Sequence, residues 1–117
     1  MPRILVVDDN AMMRTVMRAA LDRAGHKVML ADSGEKALKV VEGGEAFDLV
    51  VTDIHMPKMS GADLTRALRK TLPDLNVLLI SGDADAINPK EFGQAVFSLE
   101  KPFTADKLAS KVAEILG

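Results

Sequence analysis

The chain has 117 residues, of which 48% are hydrophobic and 27% charged, and its net charge at pH 7 is −2. We expect residues 1–117 to form one globular domain, with neither disorder nor a membrane-spanning segment. Cysteine is absent, which excludes disulfides and thiolate metal sites and favours a cytoplasmic protein. Basic residues such as Arg14, Arg18 and Arg69 are scattered, a distribution typical of solvated helix faces and not of a nucleic-acid-binding surface.

Short apolar runs alternate along the chain with longer segments that have helical spacing. The runs are of strand length and too uniformly apolar for a sheet with one wet face, so they predict buried parallel strands. They are Ile4–Val7, Val28–Ala31, Leu49–Val51, Val77–Ile80 and Ala95–Leu99.

The helical segments are bounded by capping residues and by glycine or proline. They run from Asn10 to Gly25, from Ser33 to Gly43, from near Gly61 to Pro73, and from Thr104 to the end of the chain. A further helix, the fourth in chain order, is predicted somewhere in Ala84–Gly93. Pro89 can begin a helix but not continue one, so this element is expected to be short or irregular.

This order of elements predicts an α/β fold with five β-α units. Alternating strands and helices imply a parallel sheet covered by helices on both faces, joined by right-handed crossovers. Ligands of such sheets lie at the carboxyl ends of the strands. The residues that end each strand are therefore the first candidates for chemistry.

Charged and polar residues stand at four of the five strand ends. Asp8 and Asp9 end the first strand, Asp53 the third, Ser81 the fourth and Lys101 the fifth. Each has an ordinary explanation when taken alone: helix capping, a turn, a loop hydroxyl or a surface charge. Their coincidence at one edge favours a shared site.

The residue types at that edge suit phosphoryl transfer. Three neighbouring carboxylates repel one another and need a cation or a raised pKa. Carboxylates without histidine or cysteine suit Mg²⁺, which accepts phosphate oxygens as further ligands. A hydroxyl and an ammonium can bind a phosphoryl group, and an aspartate can act as its nucleophile.

The motifs VVDDN, VTDIHMPKMSG, LLISG and EKPF resemble those of the response-regulator receiver family, which is CheY-like, in the family's order. The resemblance covers the whole chain. It implies a flavodoxin-like doubly wound parallel sheet of strand order 2-1-3-4-5. It also implies a cis peptide at Lys101–Pro102.

The resemblance implies a role for each residue at the strand ends. Asp53 would accept the phosphoryl group from the phosphohistidine of a histidine kinase. Asp9, Asp53 and the backbone carbonyl of His55 would bind Mg²⁺, with Asp8 acting mostly through a metal-bound water. Lys101 would pair with the carboxylate and then with the phosphoryl oxygens.

Further residues would bind the phosphoryl group or tune its lifetime. Ser81 and the backbone N–H of Gly82 would contact the group, and His55 and Asp83 occupy the positions that tune self-dephosphorylation in the family. The chain would thus be a phosphoacceptor that assists its own reactions, not an enzyme with a separate substrate.

The implied partners are proteins. A sensor histidine kinase or a phosphotransfer protein would supply the phosphoryl group. A downstream protein or an output domain would contact the surface formed by the fourth helix, the fifth strand and the fifth helix. No direct contact with nucleic acid or a membrane is expected.

Two alternatives compete with a phosphorylation switch. A phosphorylation-independent pseudo-receiver would be an interaction module on the same fold, but such proteins usually lack one or more of the five site residues that are present here. A small hydrolase resembling the haloacid dehalogenase family would need a second aspartate two residues after the nucleophile, where this chain has His55.

The chain departs from the family's pattern at Ser98, three residues before the motif lysine, where receivers commonly carry Tyr or Phe. Phe97 is adjacent, but successive strand residues face opposite ways, so it does not replace the missing ring. We therefore expect signalling to depend on rearrangement of the loop and fourth helix, not on a swinging ring.

We expect Ser98→Ala to leave partner binding by the phosphorylated protein nearly unchanged, because the native side chain already lacks a ring. Titration of the phosphorylated variant against a purified partner checks this. A large loss of affinity would contradict the idea.

Overall fold

The computed structural model of the protein describes residues 1–82 and 88–117. Its centre is a five-stranded sheet in which all neighbouring strands are parallel. The strands are β1 (Arg3–Val7), β2 (Lys27–Ala31), β3 (Leu49–Asp53), β4 (Asn76–Ser81) and β5 (Val96–Glu100). Their order, β2-β1-β3-β4-β5, confirms the predicted flavodoxin-like sheet.

In residues 1–82 and 88–117, four α-helices pack on the sheet, and each begins after a side chain that caps it. The helices are α1 (Ala11–Arg23), α2 (Gly34–Glu42), α3 (Gly61–Thr71) and α4 (Ala105–Leu116). The capping side chains each accept a hydrogen bond from a backbone N–H three residues further on, and they belong to Asn10, Ser33, Ser60 and Thr104. Within the described ranges no helix has the length and apolar character to cross a bilayer.

The connection between β4 and β5 differs from a regular β-α unit. Its described part holds a single 3₁₀ turn, Pro89–Phe92, capped by the side chain of Asn88. Proline lacks an N–H and fixes its own φ, so it can open a helical turn, and Gly93 ends this one with a φ of +93°. The short, irregular element expected here is thus found in residues 89–92, and the rest of the predicted helix, residues 84–87, lies outside the described residues.

The two faces of the sheet carry separate hydrophobic cores because strand residues alternate in direction. Ile4 and Val6 of β1 belong to the core beneath α1 and α4. Leu5 and Val7 belong to the core beneath α2 and α3. β3 is the central strand and is buried along its whole length, so its last residue, Asp53, lies at the middle of the carboxyl edge.

The start of β5 is held by a side chain from α3. The guanidinium of Arg69 donates to the carbonyls of Leu72, Gln94 and Ala95 at 2.9, 3.2 and 3.3 Å, and burial lowers the pKa of this group from its ordinary value. Ala95 has a φ of +65°, which is not a strand conformation, so β5 begins one residue later than predicted. The interpretation of Arg69 as a solvated charge was wrong.

The first residue of α3 packs directly on the backbone that follows β3. The N–H of Gly61 donates to the carbonyl of Ile54 at 2.9 Å. A Cβ at position 61 would lie 2.8 Å from Ile54 Cα and closer still to the carbonyl oxygen of Asp53. Only a residue without a side chain allows this approach, which fixes the loop that carries Asp53 and His55.

We expect Gly61→Ala to lower the free energy of unfolding by about 2 kcal/mol, because the added methyl group would meet backbone atoms that cannot move without shifting the loop. Gly43→Ala is the matched control, since Gly43 ends α2 with a φ of −74°. It should change the value by less than about 1 kcal/mol. Urea unfolding of both variants measures the two free energies of unfolding. Equal decreases in the two variants would contradict a special packing role for Gly61.

Candidate functional site

The residues singled out at the strand ends lie together at the carboxyl edge of the sheet. Asp8 and Asp9 follow β1, Asp53 ends β3, Ser81 ends β4 and Lys101 follows β5. One carboxylate oxygen from each aspartate lies within 4.8 Å of the others. Parallel strands produce this result because all their carboxyl ends share one edge.

Asp53 is held by contacts to both oxygens of its carboxylate. The ammonium of Lys101 lies 3.0 Å from Oδ2, and the backbone N–H of His55 donates to Oδ1 at 3.1 Å. The side chain of Asp53 is 9% exposed and that of Lys101 36% exposed. The Asp53 carboxylate is therefore fixed in direction and paired with a cation while remaining open to solvent on one side.

Asp8 is fully buried and incompletely satisfied. Its Oδ1 accepts from the N–H of Asn10 at 2.9 Å, whereas Oδ2 is buried and has no hydrogen-bond partner among the described residues. Burial raises the pKa of Asp8, and the charges of Asp53 and Asp9 act in the same direction, against the Asn10 N–H and Lys101. Burial thus disfavours the ionised form of Asp8, and one of its two oxygens lacks a hydrogen-bond partner within the described ranges.

The donor set at this edge fits a hard divalent cation. Asp8, Asp9 and Asp53 supply only carboxylate oxygens, and the unsatisfied Asp8 Oδ2 is the kind of buried acceptor that a cation or its bound water would satisfy. Asp9 is exposed, so the cluster is open to solvent. These oxygen ligands and this access match Mg²⁺ better than Zn²⁺ or copper, which favour nitrogen and sulfur.

Backbone hydrogen bonds tie the loops around Asp53 to one another. The N–H of Ile54 donates to the carbonyl of Ile80, and the N–H of Lys101 donates to the carbonyl of Ser81 at 2.7 Å. Ser81 is 5% exposed. The peptide Lys101–Pro102 is cis, as the resemblance implied. Asp53, Ser81 and Lys101 therefore stand on connected backbone segments.

The positions predicted to tune or relay the signal do not belong to the cluster of aspartates around Asp53. His55 is exposed beside Asp53, and Asp83 lies outside the described residues. Ser98 is half-buried on β5, opposite Leu79 of β4. Phe97 packs against the core beneath α1 and α4, which confirms that its ring points away from the face that carries Ser98.

Two contacts near the aspartates were missed from the sequence. Arg14 was interpreted as a solvated charge, but it is half-buried and its guanidinium donates to the carbonyl of Asp8 at 2.8 Å. Buried Thr52 donates its hydroxyl to the carbonyl of Asp53 at 3.0 Å. Neither contact has a sequence signal, because a single arginine or threonine has many possible partners before the fold is known.

Comparison with known proteins agrees with this geometry. A family model for the response regulator receiver domain matches residues 4–113. The chain belongs to this family. A sensor kinase, CckA, of Brucella abortus is 42% identical to this receiver domain, and the match covers 97% of this domain. The domain spans 12% of that kinase's length.

Other relatives match the receiver domain nearly end to end. A response regulator receiver protein, CpdR, of Brucella abortus is 36% identical over 99% of this chain and 98% of its own. A receiver domain crystal structure from Clostridium thermocellum is 30% identical, covers 99% of this chain and 94% of its own, and superposes with a TM-score of 0.88.

Family membership assigns the chain to two-component signalling as a phosphoacceptor switch. The alternative of a phosphorylation-independent interaction module is not favoured. Receiver domains of this family interact with histidine kinases and with output domains.

We expect Asp8→Asn to stabilise the metal-free protein at pH 7 by on the order of 1 kcal/mol, because the variant removes a buried charge that its partners offset only in part. A carboxyl whose pKa is raised by folding stabilises the fold only while protonated, and this contribution is lost as pH rises through the raised pKa. The difference should therefore vanish as pH falls to about 4.

Thermal unfolding in EDTA at several pH values measures this effect. Added Mg²⁺ should stabilise the wild type more than the variant, since the variant has lost one of the clustered carboxylates. A variant that is less stable than the wild type in EDTA at pH 7 would contradict the prediction.

Proposed function

We propose that Asp53 accepts a phosphoryl group from the phosphohistidine of a sensor histidine kinase or a phosphotransfer protein, and that phosphorylation changes the surface that this receiver domain presents to a partner. The observation that carries the proposal is the position of the Asp53 carboxylate, between two other aspartates and 3.0 Å from the Lys101 ammonium. The proposal also takes residues 1–117 as one receiver domain and locates it in the cytoplasm.

The contacts of Asp53 suit a nucleophile. The N–H of His55 holds one oxygen of the carboxylate, and the ammonium of Lys101 contacts the other. In the proposed step an Asp53 oxygen forms a bond to phosphorus as the phosphorus–nitrogen bond of phosphohistidine breaks. The departing imidazole keeps the electron pair of that bond and takes a proton from solvent water.

The aspartates would hold the cation that this reaction requires. Asp9, Asp53 and the backbone carbonyl of His55 are the proposed ligands of Mg²⁺, with Asp8 acting mostly through a bound water. When bound, Mg²⁺ would offset the negative charge of the carboxylates and of the incoming phosphoryl oxygens. Lys101 would then transfer its ammonium contact from the Asp53 carboxylate to a phosphoryl oxygen.

Ser81 and Gly82 are proposed to bind the remaining phosphoryl oxygens. Ser81 pairs in register with Glu100, and its carbonyl accepts from the N–H of Lys101, so its hydroxyl belongs to the same edge as the Lys101 side chain. Gly82 follows directly and adds a backbone N–H without a side chain in the way. Donors of this kind stabilise the spread negative charge of a phosphoryl group.

An exposed apolar patch supports the docking of a phosphodonor beside Asp9. Met12 is 75% exposed and Val16 47% exposed, one turn apart on α1. The helical spacing of Met13, Val16 and Met17 predicts that all three lie on the buried face of α1, but Val16 lies outside the core in the structure. An apolar surface next to an acidic site is a suitable contact for a helix of the donor protein.

The output side of the domain is proposed to be the surface of the 3₁₀ turn, β5 and α4. Ser98 lies on this surface in place of the ring that receivers commonly carry. Self-dephosphorylation, tuned by His55 and by Asp83, is part of the same proposal. The downstream protein or output domain would recognise the phosphorylated state there.

Incubation with acetyl phosphate, followed by measurement of intact mass, tests the proposal. We expect a phosphoryl adduct that requires Mg²⁺, survives acid and is lost in base, because an acyl phosphate is the product of a carboxylate nucleophile. Asp53→Asn should abolish the adduct. Asp48→Asn is the matched control, since Asp48 is an aspartate that accepts from the N–H of Arg3, far from the site, and it should leave the adduct unchanged.

Two outcomes would contradict the proposal. An adduct that persists in Asp53→Asn would assign the phosphoryl group to another residue. A folded wild-type protein that binds Mg²⁺ but forms no adduct, with either acetyl phosphate or a phosphorylated histidine protein, would favour the interaction-module alternative.

A further inference from the structure

Arg14 makes a contact to the acidic loop that the proposed function does not use. It lies in the second turn of α1, is half-buried, and donates from its guanidinium to the backbone carbonyl of Asp8 at 2.8 Å. Among the described residues it forms no ion pair with a carboxylate. Arg14 binds a backbone carbonyl of the acidic loop and pairs with none of its carboxylates. Its contact therefore restrains the backbone of the loop.

The contact determines where Asp9 stands. A peptide unit is planar, so holding the carbonyl oxygen of Asp8 also fixes the nitrogen and the Cα of Asp9. Asp9 is exposed and its carboxylate has no hydrogen bond in the described structure that would orient it. The direction of its Cα–Cβ bond therefore depends on the peptide that Arg14 holds.

Arg14 completes a set of three anchors on the loop. The N–H of Asp8 donates to the carbonyl of Ala31 on β2, and its Oδ1 accepts from the N–H of Asn10. Arg14 supplies the third contact from α1. The helix itself is fixed, because Met17 in its next turn is fully buried in the core.

We propose that Arg14 is a positioning residue that orients the Asp8 and Asp9 carboxylates for a divalent cation. This inference rests on the cation site of the proposed function. The guanidinium touches neither the cation nor the phosphoryl group. It acts by restraining the peptide between the two aspartates, so that their oxygens converge with those of Asp53 before the ion arrives.

Charge and positioning predict opposite results when Arg14 is replaced. A positive charge near the cluster repels a cation, so its removal alone would tighten Mg²⁺ binding. Loss of the restraint lets the loop move and would weaken binding, because the ion would then have to order its own ligands. The direction of the change in affinity therefore separates the two roles.

The test compares Arg14→Gln and Arg14→Lys with the matched control Arg18→Gln. Arg18 lies one turn further along α1, is 54% exposed and stands 3.6 Å from Asp22. Calorimetric titration with Mg²⁺ alone, at pH 7 and fixed ionic strength, gives each dissociation constant. We expect Arg14→Gln to weaken binding about tenfold, in the range seen for residues that orient metal ligands. Arg18→Gln should match the wild type, and Arg14→Lys should fall between them.

Two further measurements distinguish positioning from a general loss of structure. In the metal-free protein the amide resonances of Asp9 and Asn10 should shift in Arg14→Gln and stay in place in Arg18→Gln. The rate of adduct formation with acetyl phosphate should fall at low Mg²⁺ and recover to within about twofold of the wild type at saturating Mg²⁺. Should Arg14→Gln fail to fold, Arg14→Lys provides the same comparisons.

Unchanged or tighter Mg²⁺ binding by the Arg14 variants would overturn the inference, as would a wild-type protein that binds no Mg²⁺. Failure of the proposed function would give a different result: the wild-type protein would bind Mg²⁺ without forming a phosphoryl adduct. The Mg²⁺ dissociation constants of the variants could still be compared. In that case weaker binding by Arg14→Gln would support Arg14 as a positioning residue in a cation site that does not transfer phosphoryl groups.

Discussion

Mutual repulsion among Asp8, Asp9 and Asp53 is the constraint on which the arrangement of the site depends. Their oxygens lie within 4.8 Å of one another at an edge where one member is fully buried. Lys101 and the N–H groups of Asn10 and His55 offset part of this charge. These contacts reach Asp53 and one oxygen of Asp8, so within the described ranges the cluster retains an unsatisfied acceptor at Asp8 Oδ2.

The scaffold keeps these charges close together by leaving the loops little freedom. Backbone hydrogen bonds join Ile54 to Ile80, Lys101 to Ser81 and Gly61 to Ile54. Beneath them β3 is buried along its whole length between two hydrophobic cores. The three carboxylates would move apart in a flexible chain. The hydrophobic cores and the backbone hydrogen bonds hold them together, and the folded protein thereby maintains a preorganised polar site.

Two arginines of α3 contact the segment that leads to β5. Arg66 lies over the ring of Phe92 in the 3₁₀ turn, at 5.1 Å from its centroid, and Arg69 holds the carbonyl of Ala95 at the start of β5. Both come from α3, whose first residue packs on the loop after Asp53. One helix thus contacts the loop after Asp53 at one end and the segment before β5 along its length.

The sequence by itself determined the order of elements, the parallel sheet and the convergence of Asp8, Asp9, Asp53, Ser81 and Lys101. Apolar runs and helical spacing are local signals, and the carboxyl ends of parallel strands must share an edge. Only the tertiary structure decided which basic residues are solvated. Arg14 and Arg69 look like surface charges in the sequence, yet each binds a carbonyl on a distant segment. Such contacts depend on how helices and loops pack in space, and a long side chain on a helix carries no local signal of the carbonyl that it will meet.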